Sequence, residues 1–178
     1  NILRNIMSPD EIENLVTLLR KLEPGFFPLS VFNEMARLNV LTAIEVVPVR
    51  MVGASVHVLL LKRGVDDLFW KGLYHTPGTI VIASDQANTF ADGLARIVKG
   101  ELDNAPYLGS PVFVEVVNIQ HERGRSNGIV YWLEMKDEHN SCGEYYDVDH
   151  LPPNIVTSQV AMIQSAAKKF KEYKTLSR

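Results

Sequence analysis

The spacing of apolar positions predicts two helices at the beginning of the chain. In the stretch 8–22, SPDEIENLVTLLRKL, apolar residues recur at helical intervals. Ser8 is a suitable cap, because its hydroxyl can accept a backbone N–H of the first turn. Pro9, Asp10 and Glu11 also favour a helix start. The apolar face would carry Ile12, Leu15, Val16, Leu19 and Leu22.

A second, shorter helix is predicted in LSVFNEMARLN, after the EPGFFP segment ends the first one. Its buried stripe would be Val31, Met35 and Leu38. We expect both helices to pack on the rest of the chain, and a surface for a dimer is the alternative. The chain is therefore divided into an N-terminal helical segment, residues 1–40, packed on a domain formed by residues 41–178.

The middle of the chain is rich in short runs of β-branched and aliphatic residues, which predict strands. AIEVVPVRM and ASVHVLLLKRG are two such runs, separated by a turn around Gly53. The range Val56–Leu61 is apolar almost throughout, which predicts a strand buried on both faces. PVFVEVVNIQHE and GIVYWLEMKD predict a strand pair, with Asn127-Gly128 as a suitable turn dipeptide. EYYDVDHLPP predicts a short strand followed by a loop.

Two further stretches have helical periodicity. In TFADGLARIVKGEL, residues 89–102, the apolar positions and Glu101 fall close together. NIVTSQVAMIQSAAKKFKEYK closes the chain as a helix with a basic end, which suits its C-terminal dipole. Helices, strands, a helix, strands and a last helix together predict the α+β class, with a mixed sheet between helices.

Bulk properties restrict the classes of function. A chain of 178 residues can form one domain with a sizeable core. The net charge of −3 and the pI near 6.0 argue against broad binding to nucleic acid or to an anionic membrane. No apolar run reaches the ~20 residues of a membrane span, and the single cysteine excludes an intrachain disulfide. We expect a cytoplasmic protein with no nucleic-acid and no membrane partner.

Three consecutive pieces of the chain resemble a known family. A strand ends in LLLKRG, the loop after it contains Trp70 and Gly78, and the helix that follows contains Arg96 and Glu101. This order of parts resembles the Nudix (MutT-like) hydrolase family, whose box leads from a strand through a Pro-Gly loop to a helix with an arginine and glutamates. The segment 144–170, EYYDVDHLPPNIVTSQVAMIQSAAKKF, is similar to the usual ending of the family, a Leu-Pro loop followed by a closing helix.

The resemblance implies a fold, a reaction and a set of site residues. The fold would be a Nudix-type α/β/α sandwich with a central mixed β-sheet, preceded by N-terminal helices. The reaction would be hydrolysis of a nucleoside diphosphate-linked substrate, with Mg²⁺ or Mn²⁺. Glu101 and Arg96 would be catalytic, with Glu101 also the metal ligand. The residues that would bind the substrate are Arg63, Trp70, His75 and Gly78.

The helix of the box departs from the family pattern. The family has one glutamate directly after the arginine and two adjacent ones three positions on, where this chain has Ile97, Gly100 and Glu101. Thr79 replaces the second glycine of the loop, and about four residues are inserted within the segment 82–93. Since Mg²⁺ prefers several oxygen ligands, a single glutamate is a poor site. The carboxylates that could replace the missing ones are Asp85, Asp92, Glu115, Glu122 and Glu144.

Several candidate residues also have purely structural interpretations. Glu101 could pair with Arg96 or Lys99 at the helix end. His75 could hydrogen-bond its own loop instead of acting as an acid, a base or a phosphate donor. Trp70 could cover the edge of the core instead of stacking on a nucleobase.

The arginines outside the helix have the same two interpretations. Arg63 could contact a phosphate or be a solvated charge. Arg123 and Arg125 lie in HERGRSNG, which we predict to be a hairpin tip, either as solvated turn residues or as contacts to a ligand or partner.

Three hypotheses about function remain open at this point. The first is a divergent Nudix hydrolase that acts on a nucleoside diphosphate derivative with substitute metal ligands. The second is a Nudix-shaped module that has lost hydrolysis and binds a nucleotide-like small molecule or a protein partner. The third is an α+β domain whose likeness to the family is accidental. A homodimer is a further expectation, because dimers are common in the family.

Overall fold

The structure, a computed structural model, describes residues 7–86, 89–136 and 142–176. Within these residues there are four α-helices and seven strands. The helices are α1 (Pro9–Leu19), α2 (Leu29–Leu38), α3 (Ala91–Gly100) and α4 (Val160–Leu176). The strands are β1 (Val40–Val52), β2 (Ser55–Lys62), β3 (Tyr74–His75), β4 (Gly78–Ile80), β5 (Tyr107–His121), β6 (Gly124–Met135) and β7 (Glu144–Asp147). In the part of the chain so described, no helix is long and apolar enough to cross a membrane.

The strands form one mixed sheet of seven strands, in the order β3-β2-β1-β6-β5. β1 runs parallel to β6 and antiparallel to β2. The other edge of β1 is shared by two partners, because β4 pairs with residues 43–45 and β2 pairs with residues 49–52. β7 adds to β2. β1 is thus the strand from which β2 and β4 diverge, and the functional site described below lies on its β4 side.

Helices cover both faces of the sheet, which confirms the predicted α/β/α sandwich. Alternate residues of β2 enter opposite cores, as expected for a strand buried on both faces: Val58 and Leu60 on one side, Leu59 on the other. The first core is closed by α4, whose buried residues are Met162, Ile163, Ala166, Ala167 and Phe170. The second core is closed by α3 and the residue after its C-cap, with Ile97 and Leu102 against Ile44, Val46 and Leu133.

The predicted turn between β5 and β6 is wrong by several residues. The turn is formed by residues 122–123, between His121 and Gly124, which are paired. Asn127 and Gly128 lie within β6, and Gly128 pairs with β5 on one side and with β1 on the other. Asn-Gly is a strong local turn signal, but pairing with two strands over the whole of β6 outweighs it. Arg123 therefore lies at the hairpin tip as predicted, whereas Arg125 lies in the paired strand.

α1 begins where the sequence predicts. The Ser8 side chain accepts the backbone N–H of Glu11, and the Glu11 side chain accepts that of Ser8, so the two form a capping box. Its apolar face is not buried as predicted, since Ile12 is 37%, Leu15 43% and Leu19 44% exposed. An isolated helix of this length is marginal in water, so the cap contributes much of its local stability.

α2 packs on the sheet, but with a different face from the one predicted. It lies against β1 and β6, and Ala36 is its buried residue. Leu38, expected in the buried stripe, is 66% exposed, and Val31 and Met35 are only partly buried. A small residue is buried because the α2 backbone comes very close to the hairpin between β5 and β6: a Cβ on Gly124 would overlap the Ala36 carbonyl.

Candidate functional site

Glu45 and Gly78 lie opposite each other where β1 pairs with β4. A Cβ atom at Gly78 would be 2.7 Å from Glu45 Oε2 and 3.1 Å from the Ile44 carbonyl oxygen. Such distances are too short for a side chain to fit without a shift, so the glycine of the Pro-Gly loop makes room for a carboxylate. The site is therefore built around an acidic residue that projects from the middle of the sheet.

Glu101 reaches the same glycine from the C-terminal end of α3. It follows Gly100, the last helical residue, and its Oε1 accepts the Gly78 N–H at 3.2 Å. Two carboxylates from different elements therefore converge at Gly78, and Glu101 is close enough to Glu45 to act on its protonation.

The surroundings of both carboxyl groups favour their neutral forms. Burial, and secondly the nearby charge of Glu101, raise the pKa of Glu45 to about 8, against the opposing effect of Arg63. Burial raises the pKa of Glu101 to about 7, while Arg63 and the Gly78 N–H act in the opposite direction. The pair consequently carries less than two negative charges at neutral pH.

Gln159 connects Glu45 to the loop before β4. The Gln159 side chain is buried, accepts the Thr76 backbone N–H on Oε1 at 3.0 Å, and approaches Glu45 Oε2 with Nε2 at 3.4 Å. Gln159 ends the short 3-10 helix Thr157–Gln159, which leads into α4. The closing helix of the chain thus contributes directly to the site.

A pocket with a volume of about 350 Å³ opens beside Glu45. This volume lies at the lower end of the range that small-molecule sites occupy. The pocket wall comes from the segment that contains α2, from β1, from the Pro-Gly loop, from the β5–β6 hairpin and from the residues before α4. Its aromatic and charged members are Phe26, Phe27, Phe32, Glu45, Arg63, Trp70, His121, Arg123 and Arg125.

Two arginines of this wall stack on Trp70. The guanidinium carbon of Arg123 is 4.8 Å from the Trp70 ring centroid, and that of Arg63 is 5.5 Å away. The Nε atoms of both arginines are buried without a hydrogen-bond partner in the described part of the protein. Asp67, 3.9 Å from an Arg63 nitrogen, is one carboxylate beside them, and the carboxyl groups of Glu45 and Glu101, whose neutral forms are favoured, are also near Arg63. The pocket therefore presents positive charge that is only partly compensated.

Trp70 is held firmly at the base of this cluster. It is 8% exposed, and its Nε1 donates to Glu122 Oε2 at 2.9 Å. Asp67 Oδ1 accepts the Trp70 backbone N–H at 2.9 Å, which closes a turn of the loop. The His121 ring meets the indole edge to face, 5.3 Å between centroids. Because it is fixed on several sides, the indole forms a rigid support for the arginines.

Comparison with solved structures places this arrangement in a known fold. The Nudix domain of Shewanella oneidensis NrtR, in a cocrystal structure with ADP-ribose, matches with a TM-score of 0.59 and 15% identity, over 92% of this chain and 99% of that one. A mutT/nudix family protein from Listeria innocua matches with a TM-score of 0.58 and 13% identity, over 76% of this chain and 97% of that one. The chain has the Nudix fold.

The likeness is one of structure and is remote in sequence. Shewanella oneidensis NrtR itself matches with a TM-score of 0.56 and 16% identity over 73% of this chain, which spans 63% of the length of that protein. No protein-family model matches the sequence, and no curated protein does. The predicted resemblance to the Nudix fold is confirmed, and the alternative of an accidental likeness is wrong.

The Nudix box residues predicted to bind substrate divide into two groups. Arg63, Trp70 and Gly78 line the pocket. His75 does not: it is 4% exposed, it is absent from the described pocket wall, and its Nδ1 lies 2.7 Å from the Thr76 carbonyl oxygen. Burial, and secondly the charge of Arg63, lower the pKa of His75 to about 4. The structural interpretation of His75, a neutral histidine bonded to its own loop, matches this geometry.

Arg96, which the resemblance predicts to be catalytic, contacts the segment in which an insertion is predicted. It forms an ion pair with Asp85, and its Nη2 donates to the Ile80 carbonyl oxygen at 2.9 Å. Arg96 therefore pairs with Asp85, in the predicted insertion, and not with Glu101, which was one of its predicted partners. Residues 87–88, also within the insertion, lie outside the described residues.

The carboxylates do not fit the metal cluster that the Nudix family implies. Ile97 is 1% exposed in the core beneath α3, so its position faces the sheet rather than the site. Across the described ranges, no group of three or more His, Cys, Asp or Glu side chains is arranged to hold a metal ion. Mg²⁺ needs several oxygen ligands in octahedral geometry, whereas Glu101 is joined here by Glu45 alone.

Four of the five predicted substitute ligands are engaged in other contacts. Asp85 pairs with Arg96, and Asp92 accepts the Gln86 backbone N–H at 2.8 Å. Glu144 accepts the hydroxyl of Tyr74 at 3.0 Å. Glu122 holds Trp70, as described above, and Glu115 lies on β5.

Several residues of the site were not predicted, among them Glu45, Gln159 and Phe32. The sequence does contain a signal for Glu45, because it is the one charged residue in the apolar run AIEVVPV. Charged residues are rarely buried, so a glutamate in a strand of this kind indicates a special role. Gln159 has no comparable signal. Phe32 was placed on a helix, but nothing in its spacing indicates that it faces a pocket.

Proposed function

We propose that this domain binds an anionic, nucleotide-like small molecule in the pocket beside Glu45 and does not hydrolyse it efficiently. The observation that carries the proposal is the stacking of Arg63 and Arg123 on Trp70 inside a pocket of about 350 Å³. A guanidinium binds phosphate oxygens through two parallel hydrogen bonds, so two of them suit a diphosphate. Aromatic side chains in the same wall suit a nucleobase or a sugar face.

The composition of the wall favours a ligand that is partly apolar and doubly charged. Phe26, Phe27 and Phe32 form the apolar side, and the arginines form the charged side. The Nudix domain of Shewanella oneidensis NrtR has been crystallised with ADP-ribose, which combines these features. We therefore choose ADP-ribose as the first probe and ADP, AMP and ribose 5-phosphate as shorter ones.

The proposal that hydrolysis is lost depends on the missing carboxylates. Phosphoryl transfer in this class of reaction needs divalent cations to neutralise charge on the phosphoryl oxygens. In place of the three glutamates of the family, the box supplies one, and Ile97 cannot be exchanged for an ion ligand without disrupting the core.

Calorimetric titration with ADP-ribose tests the proposal. We expect saturable binding by the wild-type chain and no release of AMP with Mg²⁺ or Mn²⁺ present. Arg123→Ala should weaken binding by about 10- to 100-fold, because a charge-assisted hydrogen bond is lost. Arg37→Ala removes an equal charge from a surface pair with Glu34 and is the matched control. Failure of all four probes to bind at millimolar concentration would refute the proposal.

One observation favours a second candidate function, metal-assisted hydrolysis. Glu45 brings a second carboxylate to Glu101, and Mg²⁺ in phosphoryl-transfer sites can be held by one or two carboxylates together with substrate phosphates. This hypothesis predicts turnover of a nucleoside diphosphate derivative that requires Mg²⁺ or Mn²⁺ and is abolished by both Glu45→Gln and Glu101→Gln. Turnover that survives either substitution would exclude it.

The location and assembly of the protein remain predictions. We expect a cytoplasmic protein, with a homodimer as the simplest assembly. Cell fractionation tests the first, and light scattering across a range of concentrations tests the second.

A further inference from the structure

The N-terminal segment forms one side of the pocket. Phe26 and Phe27 precede α2, Phe32 and Ala36 lie on it, and all four line the pocket. The predicted division of the chain separates this segment from the domain, but without the segment the pocket would lose its three phenylalanines. The segment is therefore placed to influence whatever the pocket binds.

α2 is also packed against the hairpin that carries Arg123. Gly124, directly after Arg123, has a φ of +148° and lies under the backbone of α2, with its Cβ position 3.0 Å from the Ala36 carbonyl carbon. Any larger residue would displace the helix from the hairpin, so the contact fixes the distance between the two elements. The position of the hairpin tip consequently depends on the position of α2.

The Arg123 side chain is held by aromatic rings. Its guanidinium carbon lies 5.2 Å from the Phe32 centroid, 5.5 Å from that of Phe69 and 4.8 Å from that of Trp70. Among the described residues, no carboxylate forms an ion pair with it within 4.0 Å. Ring faces attract a cation without neutralising it, so the guanidinium stays fully charged and fixed in direction.

We infer that Phe32 is a positioning residue, through which the N-terminal segment holds Arg123 in the orientation that binds an anionic ligand. The inference rests on the proposed function, because it assigns Arg123 to the ligand. The rings of Phe32, Phe69 and Trp70, here called the aromatic clamp, restrict the Arg123 guanidinium before a ligand binds. Binding then costs less conformational entropy, because this long side chain is already ordered. Phe32 therefore acts on affinity through Arg123.

The test compares two substitutions at Phe32 in two backgrounds. Phe32→Leu keeps an apolar side chain of similar size but removes the ring, and Phe32→Tyr keeps the ring. With ADP-ribose as the probe, we expect Phe32→Leu to raise the Kd by about 3- to 10-fold, which is the cost of ordering one flexible side chain. Phe32→Tyr should keep the Kd near that of the wild type. In an Arg123→Ala background, Phe32→Leu should change the Kd by less than about twofold, because the residue through which it acts is gone. An equal loss in both backgrounds would overturn the inference, since Phe32 would then act independently of Arg123.

A failure of the proposed ligand binding can be distinguished from a failure of the positioning role of Phe32. If the wild-type chain binds none of the nucleotide probes, the ligand proposal fails, but the clamp can still be measured from unfolding. Phe32→Leu and Arg123→Ala should then be non-additive by about threefold in the equilibrium constant for unfolding, as cation–π coupling predicts. Additive effects would show that Phe32 does not hold Arg123 and would overturn the positioning role. Glu34→Ala, on the exposed side of α2, is the control for changes to the helix itself.

Discussion

The carboxylate of Glu45 lies close to that of Glu101, although one projects from the middle of a strand and the other follows the end of a helix. Gly78 brings them together: it faces Glu45 across the β1–β4 pair and donates its N–H to Glu101. The helix α3 therefore supplies one carboxylate of a two-carboxylate site, and strand β1 supplies the other.

Burial of Glu45, and secondly this proximity to Glu101, predict a dependence of stability on pH. The pKa of Glu45 is about 8 in the folded protein and ordinarily 4.5, so the folded state binds the proton more tightly. Stability is therefore fully present below the ordinary value and falls as the pH rises through about 8. Replacing the carboxylate by an amide removes this loss. We expect Glu45→Gln to be more stable than the wild type by roughly 4–5 kcal/mol at pH 8.5, and equal to it near pH 4.

Urea unfolding at pH 4, 6 and 8.5 measures this difference. Glu13→Gln on the exposed α1 is the control, and it should follow the wild-type curve at every pH. A constant difference between Glu45→Gln and the wild type across the range would contradict the elevated pKa of Glu45.

Gly78 should tolerate no side chain, whereas Gly100 should benefit from one. Gly78→Ala would place a methyl group 2.7 Å from Glu45 Oε2, and the shift needed should cost about 1–3 kcal/mol. At Gly100 nothing lies within 4 Å of the Cβ position, and the backbone is helical. Gly100→Ala should therefore stabilise α3 by about 0.5–1 kcal/mol. Thermal melts of the two variants should move in opposite directions, and a lower Tm for both would show that space around the Cβ does not explain the difference.

Glutamates at the two positions where the resemblance expects them, Ile97 and Gly100, should have opposite effects on the fold. Ile97→Glu would bury a carboxylate in the core beneath α3, so we expect a loss of at least about 3 kcal/mol. Ile97→Val removes one methylene and should cost only about 1 kcal/mol. Gly100→Glu lies in open space and should leave the fold intact. Chemical denaturation measures all three, and a stable, folded Ile97→Glu protein would show that this position can turn toward the site.

The ion pair between Asp85 and Arg96 should stabilise the inserted segment. The two side chains are 13% and 25% exposed, and the arginine also binds the Ile80 carbonyl oxygen. We expect Asp85→Ala to cost about 1–2 kcal/mol, since the arginine would lose its carboxylate partner in a partly buried position. Glu34→Ala breaks the exposed pair with Arg37 and should change stability by less than about 0.5 kcal/mol. Equal effects of the two substitutions on the free energy of unfolding would mean that the Asp85 pair is no stronger than a surface pair.

The elements of the fold were predictable where local chemistry determines them. β2 was recognised because both of its faces are apolar, and α1 because Ser8 and Glu11 form a cap. The turn at Asn127-Gly128 was predicted wrongly because its local preference is opposed by pairing with strands on both sides of β6. Local preferences decide an element only when no long-range pairing competes with them.

The site was less predictable than the fold, because it is assembled from distant parts of the chain. Glu45 could have been singled out as a charge within an apolar strand. Its position opposite Gly78 could not have been predicted, because it depends on how β2 and β4 share one edge of β1. The contact between Phe32 and Arg123 depends on the packing of α2 on the hairpin, and no periodicity reports such a contact.

The orientation of the Gln159 side-chain amide is set by a backbone group, the N–H of Thr76. Its oxygen is committed to the amide proton of Thr76, so its NH₂ group must point at Glu45. When Glu45 carries a proton, the NH₂ group of Gln159 cannot accept it, so Glu45 can donate this proton only to a group other than Gln159. The main chain of a loop thereby limits the hydrogen-bond acceptors open to a buried acid.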